Sequence, residues 1–369
     1  MLDENLLRTP LHAVHRAAGA VMTPFAGWDM PLRYSSDLAE HAAVRERAGL
    51  FDLSHMAQIE VSGPDAARAL DHALVTRPGV MAVGRARYSM IVADDGGILD
   101  DLIVYRLAET EYLVVANAAN RTVVLDELTV RSETRVHVSD RTSSRALIAL
   151  QGPASHEVLE PLTRRGDGAD LASLRYYAAA PAIVAGLPVL LARTGYTGEN
   201  GFEISVPAPS AGDLWAALSE AGSVAGIQAC GLACRDTLRL EAGMPLYGHE
   251  LTRDVTPYET GQERVVDLDH DFVGRAALAA RSAEPTGTTL VGLVGEGRRA
   301  ARAGSTVHDA EGEIGTVTSG VLSPTLGHPI ALARVQRARA PVGTSLEVDV
   351  RGRRQSMTVT DPPFYRRSR

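Results

Sequence analysis

The sequence predicts an α+β fold built mostly of antiparallel sheet, and three observations carry that expectation. Two segments, RARYSMIVADDGGILDDLIVYRL (85–107) and PAIVAGLPVLLARTGYTGENGFEISVP (181–207), alternate as strand, glycine turn and strand. No glycine-rich loop links a strand to a helix in the manner of a βαβ dinucleotide fingerprint. Beyond residue 288 the chain holds only short strands and turns, which suits a closing barrel or sandwich.

The elements follow in order. LHAVHRAAGAVM (11–22) is compatible with a helix, with Thr9 as N-cap and Pro10 at the first helical position. PFAGWDMPLRYSS (24–36) reads as an aromatic, turn-rich loop, and SSDLAEHAAVRERAG (35–49) as a serine-capped helix stopped by Gly49. MAQIEVSG (56–63) is a strand, and GPDAARALDHALV (63–75) a helix with Pro64 near its start. The first hairpin turns at Asp94 to Gly97, and EYLVVANA (111–118) is a further strand. RALIALQGPASHEVLEPL (145–162) repeats the order strand, Gly-Pro, helix, without the fixed period of a true repeat. GDLWAALSEAG (212–222) and GLACRDTLRLEAG (231–243) are helices. A polar stretch with Pro and Gly, ARSAEPTGTT, sets a boundary near 280–290. The strands beyond it are TLVGLVG, GEIGTVTSG, IALARV, SLEVDV and RQSMTVT.

The totals narrow the function. With 369 residues, 45% hydrophobic, the chain can bury more than one core. Its net charge of -8 is spread over mixed signs, without the basic face of a nucleic-acid binder. No apolar run approaches a membrane span, and the acidic N-terminal stretch is no secretory signal, so a cytoplasmic location is expected. The only cysteines, Cys230 and Cys234, are read as small buried residues, since a metal would need further ligands; no metal is expected. Every one of the 37 cationic side chains is arginine. This excludes a Schiff-base lysine and a Walker-type phosphate loop, and leaves planar grips for carboxylates.

Three constellations carry chemistry. In ILDDLIVY the side chains alternate, so Asp100 shares a face with Ile98, Leu102 and Val104, and Asp101 with Leu99, Ile103 and Tyr105. Both carboxylates could serve the Gly96-Gly97 turn, or one could point into a cavity beside Tyr105. In RTGYTGENGFEISV (193–206), Gly195, Gly198, Asn200 and Gly201 read as turn punctuation; Tyr196 and Glu203 are the reactive types. Glu203 lies in an apolar strand, where it needs a partner: a salt bridge, or a ligand ring rich in N–H groups. In CRDTLRLEAGMPLYG (234–248), Arg235 and Arg239 fall four apart on a helix, with Asp236 and Glu241 able to balance them. That is either a surface ion-pair helix or an arginine holding a carboxylate or polar ring.

With these residues in view, the chain resembles the T-protein family of the glycine cleavage system, the folate-dependent aminomethyltransferases. The matching segments are FAGWDMPLRYSS, VRERAGLFDLSHM, ARYSMI, DDGGILDDLIVYRL, VVANAAN, ALQGP, TGYTGENGFEISVP, GLACRDTLRLEAGMPLYG, DFVGRAAL and GTVTSGVLSPTLGHPIALARV, in family order from about residue 9 onward. Each alone is weak; as a set they are specific.

The resemblance implies a three-domain cloverleaf around a central channel for tetrahydrofolate. Its first domain is split (1–53 plus 141–280), an antiparallel β/α domain (54–140) is inserted, and a β-barrel-like domain (285–369) closes the chain. It implies Asp101 as the acidic catalytic residue. Tyr88, Tyr105, Asn117, Tyr177, Tyr196, Glu203 and Arg235 would line the folate pocket, with Met56 against the pterin. Glu203 would accept hydrogen bonds from the pterin N–H groups. The implied co-substrate is tetrahydrofolate and the implied partner lipoylated H-protein, with no nucleic acid or membrane. Tetrahydrofolate takes the methylene of the aminomethyl-lipoyl group and ammonia leaves. One segment departs from the family: TPYETGQERVVDLDHDFVGR carries Gln262 and Glu263 where an apolar-Gly pair is usual, and Asp267 where Lys is common. The change is either locally compensated or marks a paralogue with another one-carbon donor, such as a demethylase. A non-catalytic folate-binding module is the third possibility.

Overall fold

The structure, a computed structural model, describes residues 5–132, 134–164, 171–283 and 287–367. Packing divides the chain into two compact units: Met1–Leu70, Pro78–Tyr88 and Leu102–Asp236 form the first, and Asp71–Arg77, Ser89–Asp101 and Thr237–Arg369 the second. Of the expected boundary near 280–290, residues 284–286 lie outside the described residues.

The first unit opens with α1 (His12–Ala17), shorter than the 11–22 expected because Gly19 turns left-handed at φ +77 and ends the helix. Thr9 is not its side-chain cap; the N-cap is Leu11, and Thr9 offers only its carbonyl to the His12 N–H. The segment expected as a loop at 24–36 is a hairpin instead. β1 (Val21–Phe25) and β2 (Trp28–Arg33) pair antiparallel across Ala26 and Gly27, whose φ values of 50 and 80 suit a two-residue primed turn. Pro24 and Pro31 are tolerated because both strands of a two-stranded ribbon are edges.

Ser36 caps α2 (Asp37–Glu46) by accepting the Ala39 N–H at 3.1 Å. Gly49 is not the stop of that helix. It begins β3 (Gly49–Asp52), where a Cβ would lie 2.5 Å from Val44 and 2.6 Å from the Cys230 sulfur.

β4 (Ala57–Ser62), α3 (Ala66–Ala73), β5 (Ala86–Val92), β6 (Ile98–Ala108), β7 (Glu111–Ala116), α4 (Arg121–Val130) and β8 (His137–Asp140) come next, with strand order β5-β6-β7-β4-β8. α4 occupies a stretch to which the sequence pattern assigns no element. The chain then forms β9 (Arg145–Gln151), α5 (Ser155–Leu159), β10 (Ala179–Val184), β11 (Leu187–Ala192), β12 (Gly201–Pro207), α6 (Ala211–Ala221), β13 (Gln228–Ala229) and α7 (Leu232–Glu241). A six-stranded sheet results, in the order β10-β11-β12-β9-β3-β13. Leu214, Trp215 and Leu218 of α6 pack with Leu50, Ile148, Leu150, Phe202 and Ile204 in its core. Full burial of each such side chain is worth ~1.5–3 kcal/mol. The sheet therefore holds β9 and β12 rigid where they carry Gln151 and Glu203.

In the second unit, α8 (Arg275–Ala283) precedes β14 (Thr288–Gly295), β15 (Thr306–Asp309), β16 (Gly312–Leu322), β17 (Pro329–Gln336), β18 (Ser345–Asp349) and β19 (Arg354–Thr360). These six strands close into a barrel, order β14-β17-β16-β15-β18-β19, which decides between barrel and sandwich. The strand missing from the sequence reading is β15: four residues, TVHD, are too short and polar to announce a strand, yet closure needs it. Among the described residues, no helix is long and apolar enough to cross a membrane.

Candidate active site

Strand β12 brings Glu203 inside the first unit, 8% exposed, in register with Ala149 of β9. Its Oε2 accepts from the Thr194 hydroxyl at 2.5 Å and from the Tyr105 hydroxyl at 3.3 Å, and those two hydroxyls lie 3.2 Å apart. Burial, and then the charge of Glu203, push the Tyr105 phenol well above its usual range, so it stays a proton donor. Among the described residues, the hydrogen bonds to Glu203 fall on Oε2, which leaves Oε1 for a further donor. A carboxylate held by hydroxyl donors on one oxygen can accept from the paired N–H groups of a ligand with the other. Of the adjacent tyrosines 176 and 177, it is Tyr177 whose charge bears on Tyr105; it stands at φ 56, and Tyr176 is 47% exposed.

The loop between β11 and β12 supplies Tyr196. The Arg235 guanidinium sits over its ring, 4.5 Å from the centroid. Such a cation–π contact fixes both groups. Arg45 braces the same loop, donating to the Thr197 carbonyl at 2.7 Å and pairing with Glu199 at 2.9 Å. Of the four expected punctuation residues, Gly198 fits that role, with φ +80.

Met56 is half-buried just ahead of β4, directly after His55. His55 is 1% exposed, edge-on to Phe25, and its Nδ1 has no partner. Burial lowers its pKa from 6.5 to about 4, Asp52 opposing and Arg235 adding to the shift. The folded chain thus prefers neutral His55, while the unfolded chain binds a proton near pH 6.5. Stability from this group is full above about pH 6.5 and is lost as pH falls toward about 4, roughly 2–4 kcal/mol in all. Urea midpoints of wild type should therefore drop more steeply between about pH 7 and 4.5 than those of His55→Asn; parallel profiles would contradict the assignment.

In the second unit, the alternation expected of β6 is seen in burial: Asp100 is fully buried and Asp101 half-buried. The turn itself is capped by Asp95, whose Oδ1 accepts the Gly97 N–H at 3.0 Å and whose Oδ2 pairs with Arg253 at 2.9 Å. A Cβ at Gly97 would fall 2.0 Å from the Arg253 guanidinium, so glycine there is a matter of space. The Tyr247 hydroxyl donates to the Ile98 carbonyl at 3.1 Å. Burial foremost, then the charges of Asp100 and Asp101, raise its pKa, so a protonated phenol accompanies the two carboxylates. Tyr247 and Thr194 were missed as site residues by sequence reasoning. Both lie inside quoted segments, PLYG and RTGY, so their residue types were visible and their partners were not.

One further expectation is corrected here. The surface ion-pair helix is wrong for α7, because Arg239 and Glu241 are 1% and 0% exposed. Arg239 pairs with Glu250 at 2.9 Å and donates to Ser319 at 2.8 Å, while Glu241 accepts from Ser323, from the Thr325 hydroxyl at 2.8 Å and from the Thr325 N–H at 3.0 Å. Cys230 and Cys234 are buried, as expected, but they do have an acidic neighbour: Glu40 brings a third possible metal ligand, all three within 4.8 Å. The Glu40 carboxylate already accepts the N–H groups of Tyr34, Ser35 and Gly231 at 2.7, 2.9 and 2.9 Å. Burial holds the Cys230 thiol far above its usual range, hence protonated. The cluster is a buried cysteine pair beside a carboxylate that already accepts three N–H groups.

Tyr88 on β5 and Asn117 after β7 are half-buried in the first unit. In the departing segment, Glu263 is exposed. Asp267 pairs with Arg77 at 2.9 Å and accepts the Asp269 N–H at 3.0 Å.

Comparison with known proteins places these features. The pattern of the family described as "GCVT N-terminal domain" matches residues 11–270, and that of the "Glycine cleavage T-protein C-terminal barrel domain" matches residues 289–366. The aminomethyltransferase of Streptomyces coelicolor is 56% identical over 100% of both chains, and that of Saccharopolyspora erythraea 55% over 98% of both. The crystal structure of glycine cleavage system aminomethyltransferase T from Bartonella henselae superposes with a TM-score of 0.90, at 36% identity, over 98% of this chain and 99% of that one.

Proposed function

The chain belongs to the glycine cleavage T-protein family, and from that membership we infer an aminomethyltransferase that moves the methylene of an aminomethyl-lipoyl group on H-protein to tetrahydrofolate, releasing ammonia and leaving dihydrolipoyl H-protein. Lipoylated H-protein is its partner, and the cytoplasm is the compartment proposed for the reaction.

The observation that carries the reading is the anchored carboxylate of Glu203, with Thr194 and Tyr105 on one oxygen. The pterin of tetrahydrofolate offers adjacent N–H donors of the kind such a carboxylate accepts. Tyr196 and Arg235 supply a flat face and a cation for the folate, and Tyr88, Asn117, Tyr177 and Met56 complete its lining. Asp101 is the catalytic carboxylate. Its fixed negative charge polarises the folate amine, manages its proton and stabilises the iminium that develops as the carbon is transferred. The pairing of Asp267 with Arg77 supports local compensation of the altered 260–267 segment over a change of one-carbon donor.

The test mixes the protein with tetrahydrofolate and aminomethylated H-protein and follows ammonia and methylene-tetrahydrofolate. Wild type should produce both; absence of product despite tetrahydrofolate binding would mean another donor. Glu203→Gln keeps the shape and removes the charge. Charge-assisted hydrogen bonds of ~1.5–3 kcal/mol then translate into a KM for tetrahydrofolate ~10–100-fold higher, with kcat less affected. An unchanged KM would sink the role given to Glu203.

A further inference from the structure

We propose that Gln151 is a positioning residue for tetrahydrofolate, acting through the loop that carries Tyr196; the inference rests on the functional reading above. Gln151 ends β9, is 1% exposed, and stands opposite Gly201 of β12 and Gly49 of β3. Its amide nitrogen donates to the Thr194 carbonyl at 3.0 Å and to the Phe202 carbonyl at 3.4 Å. Its amide oxygen accepts from the Thr197 hydroxyl at 3.1 Å, and that hydroxyl accepts the Glu199 N–H at 3.2 Å. One side chain thus bonds both ends and the middle of the turn, with Tyr196 between its contacts at 194 and 197.

The glycines of the loop point to the same device. A Cβ at Gly195 would lie 2.0 Å from the Gln151 amide oxygen, and one at Gly201 2.5 Å from the amide carbon. Neither glycine has the positive φ that would demand glycine for conformation. They are small because the Gln151 amide occupies the space a side chain would take. An amide suits the position: it carries donors for the two carbonyls and an acceptor for the hydroxyl. A carboxylate of the same shape would face the Thr194 carbonyl with no proton to give, and a hydrocarbon would leave buried carbonyls unpaired. Among the described residues, the stretch between β11 and β12 is in register with no strand. The place of the Tyr196 ring beneath Arg235 is therefore set by Gln151 within and Arg45 at the edge.

The test is a double-mutant cycle read by calorimetric binding of tetrahydrofolate to the full chain. Tyr196→Ala and Gln151→Ala should each weaken binding about tenfold, and the double variant should bind no more weakly than Tyr196→Ala, because coupled groups are non-additive. Losses that multiply would overturn the proposal, since Gln151 would then act elsewhere. Thr197→Val, a milder change, covers misfolding of Gln151→Ala: it should weaken binding a few-fold, about 2–10 times, in wild type and not in the Tyr196→Ala background. Unchanged affinity in Thr197→Val would likewise overturn it. Failure of the functional reading is separable, because it appears before Gln151 is altered: wild type that ignores tetrahydrofolate, or Tyr196→Ala that binds it as tightly as wild type, removes the premise and the proposal with it.

Discussion

Asp101→Asn is expected to lower turnover by ~10²–10⁴-fold, the usual worth of a positioned proton-transfer group. The substitution is isosteric, so the loss would report charge and not shape. Asp101 is half-buried on β6, whereas Asp100 on the opposite face is fully buried. Burial first, and then the charge of both, keep Tyr247 protonated, in a polar group that includes Arg253. Single-turnover release of ammonia from aminomethylated H-protein, measured with saturating tetrahydrofolate, checks the expectation. Affinity for tetrahydrofolate should change far less than rate. Asp100→Asn is the control: it should cost stability and spare most of the rate. Normal turnover in Asp101→Asn would remove Asp101 from the mechanism.

Arg239→Ala is expected to destabilise the protein by ~3–5 kcal/mol, the cost of leaving one partner of a buried ion pair alone. Both side chains of the pair are essentially inaccessible, 1% and 0% exposed. Glu250 Oε2 also accepts the Leu246 N–H at 2.9 Å, and Glu250 Oε1 is buried with no partner, so the loss of Arg239 would strand a charge already short of donors. Ser319 on β16 would lose a hydrogen bond in the same step. Urea unfolding measures the cost. The double change Arg239→Met with Glu250→Leu should recover a large part of it, because apolar pairs of similar volume often replace buried ion pairs at little expense. A cost below about 1 kcal/mol for Arg239→Ala would mean that the pair is solvated, as surface pairs are.

These two residues also mark where sequence reasoning succeeds and where it stops. The two faces of ILDDLIVY follow from the period of a strand, which is a local property, and burial along β6 agrees. The first helix is six residues shorter than its pattern predicts, and the reason is local too: Gly19 turns left-handed. The aromatic loop at 24–36 became a hairpin because Ala26 and Gly27 form a tight turn that composition alone does not announce. On α7, the spacing of Arg235 and Arg239 is helical and was legible, yet their fates diverge. One lies over the Tyr196 ring, and the other is sealed against Glu250.

What the residues determined unaided is therefore the local grammar: α+β class, hairpin turns, a β-rich closing segment, and the anomalous acids Asp101 and Glu203 within apolar strands. The tertiary structure alone decided depth and partnership. Thr194 and Tyr105 meet Glu203 across 9 and 98 residues of chain, and Gln151 reaches Thr194 across 43. The physical reason is that propensity and period act between neighbours in sequence, whereas desolvation and hydrogen-bond satisfaction are settled by whichever distant groups share the interior. A glycine such as Gly195 illustrates the difference: the chain presents it as a turn residue, and only packing reveals that it is small to admit the amide of Gln151.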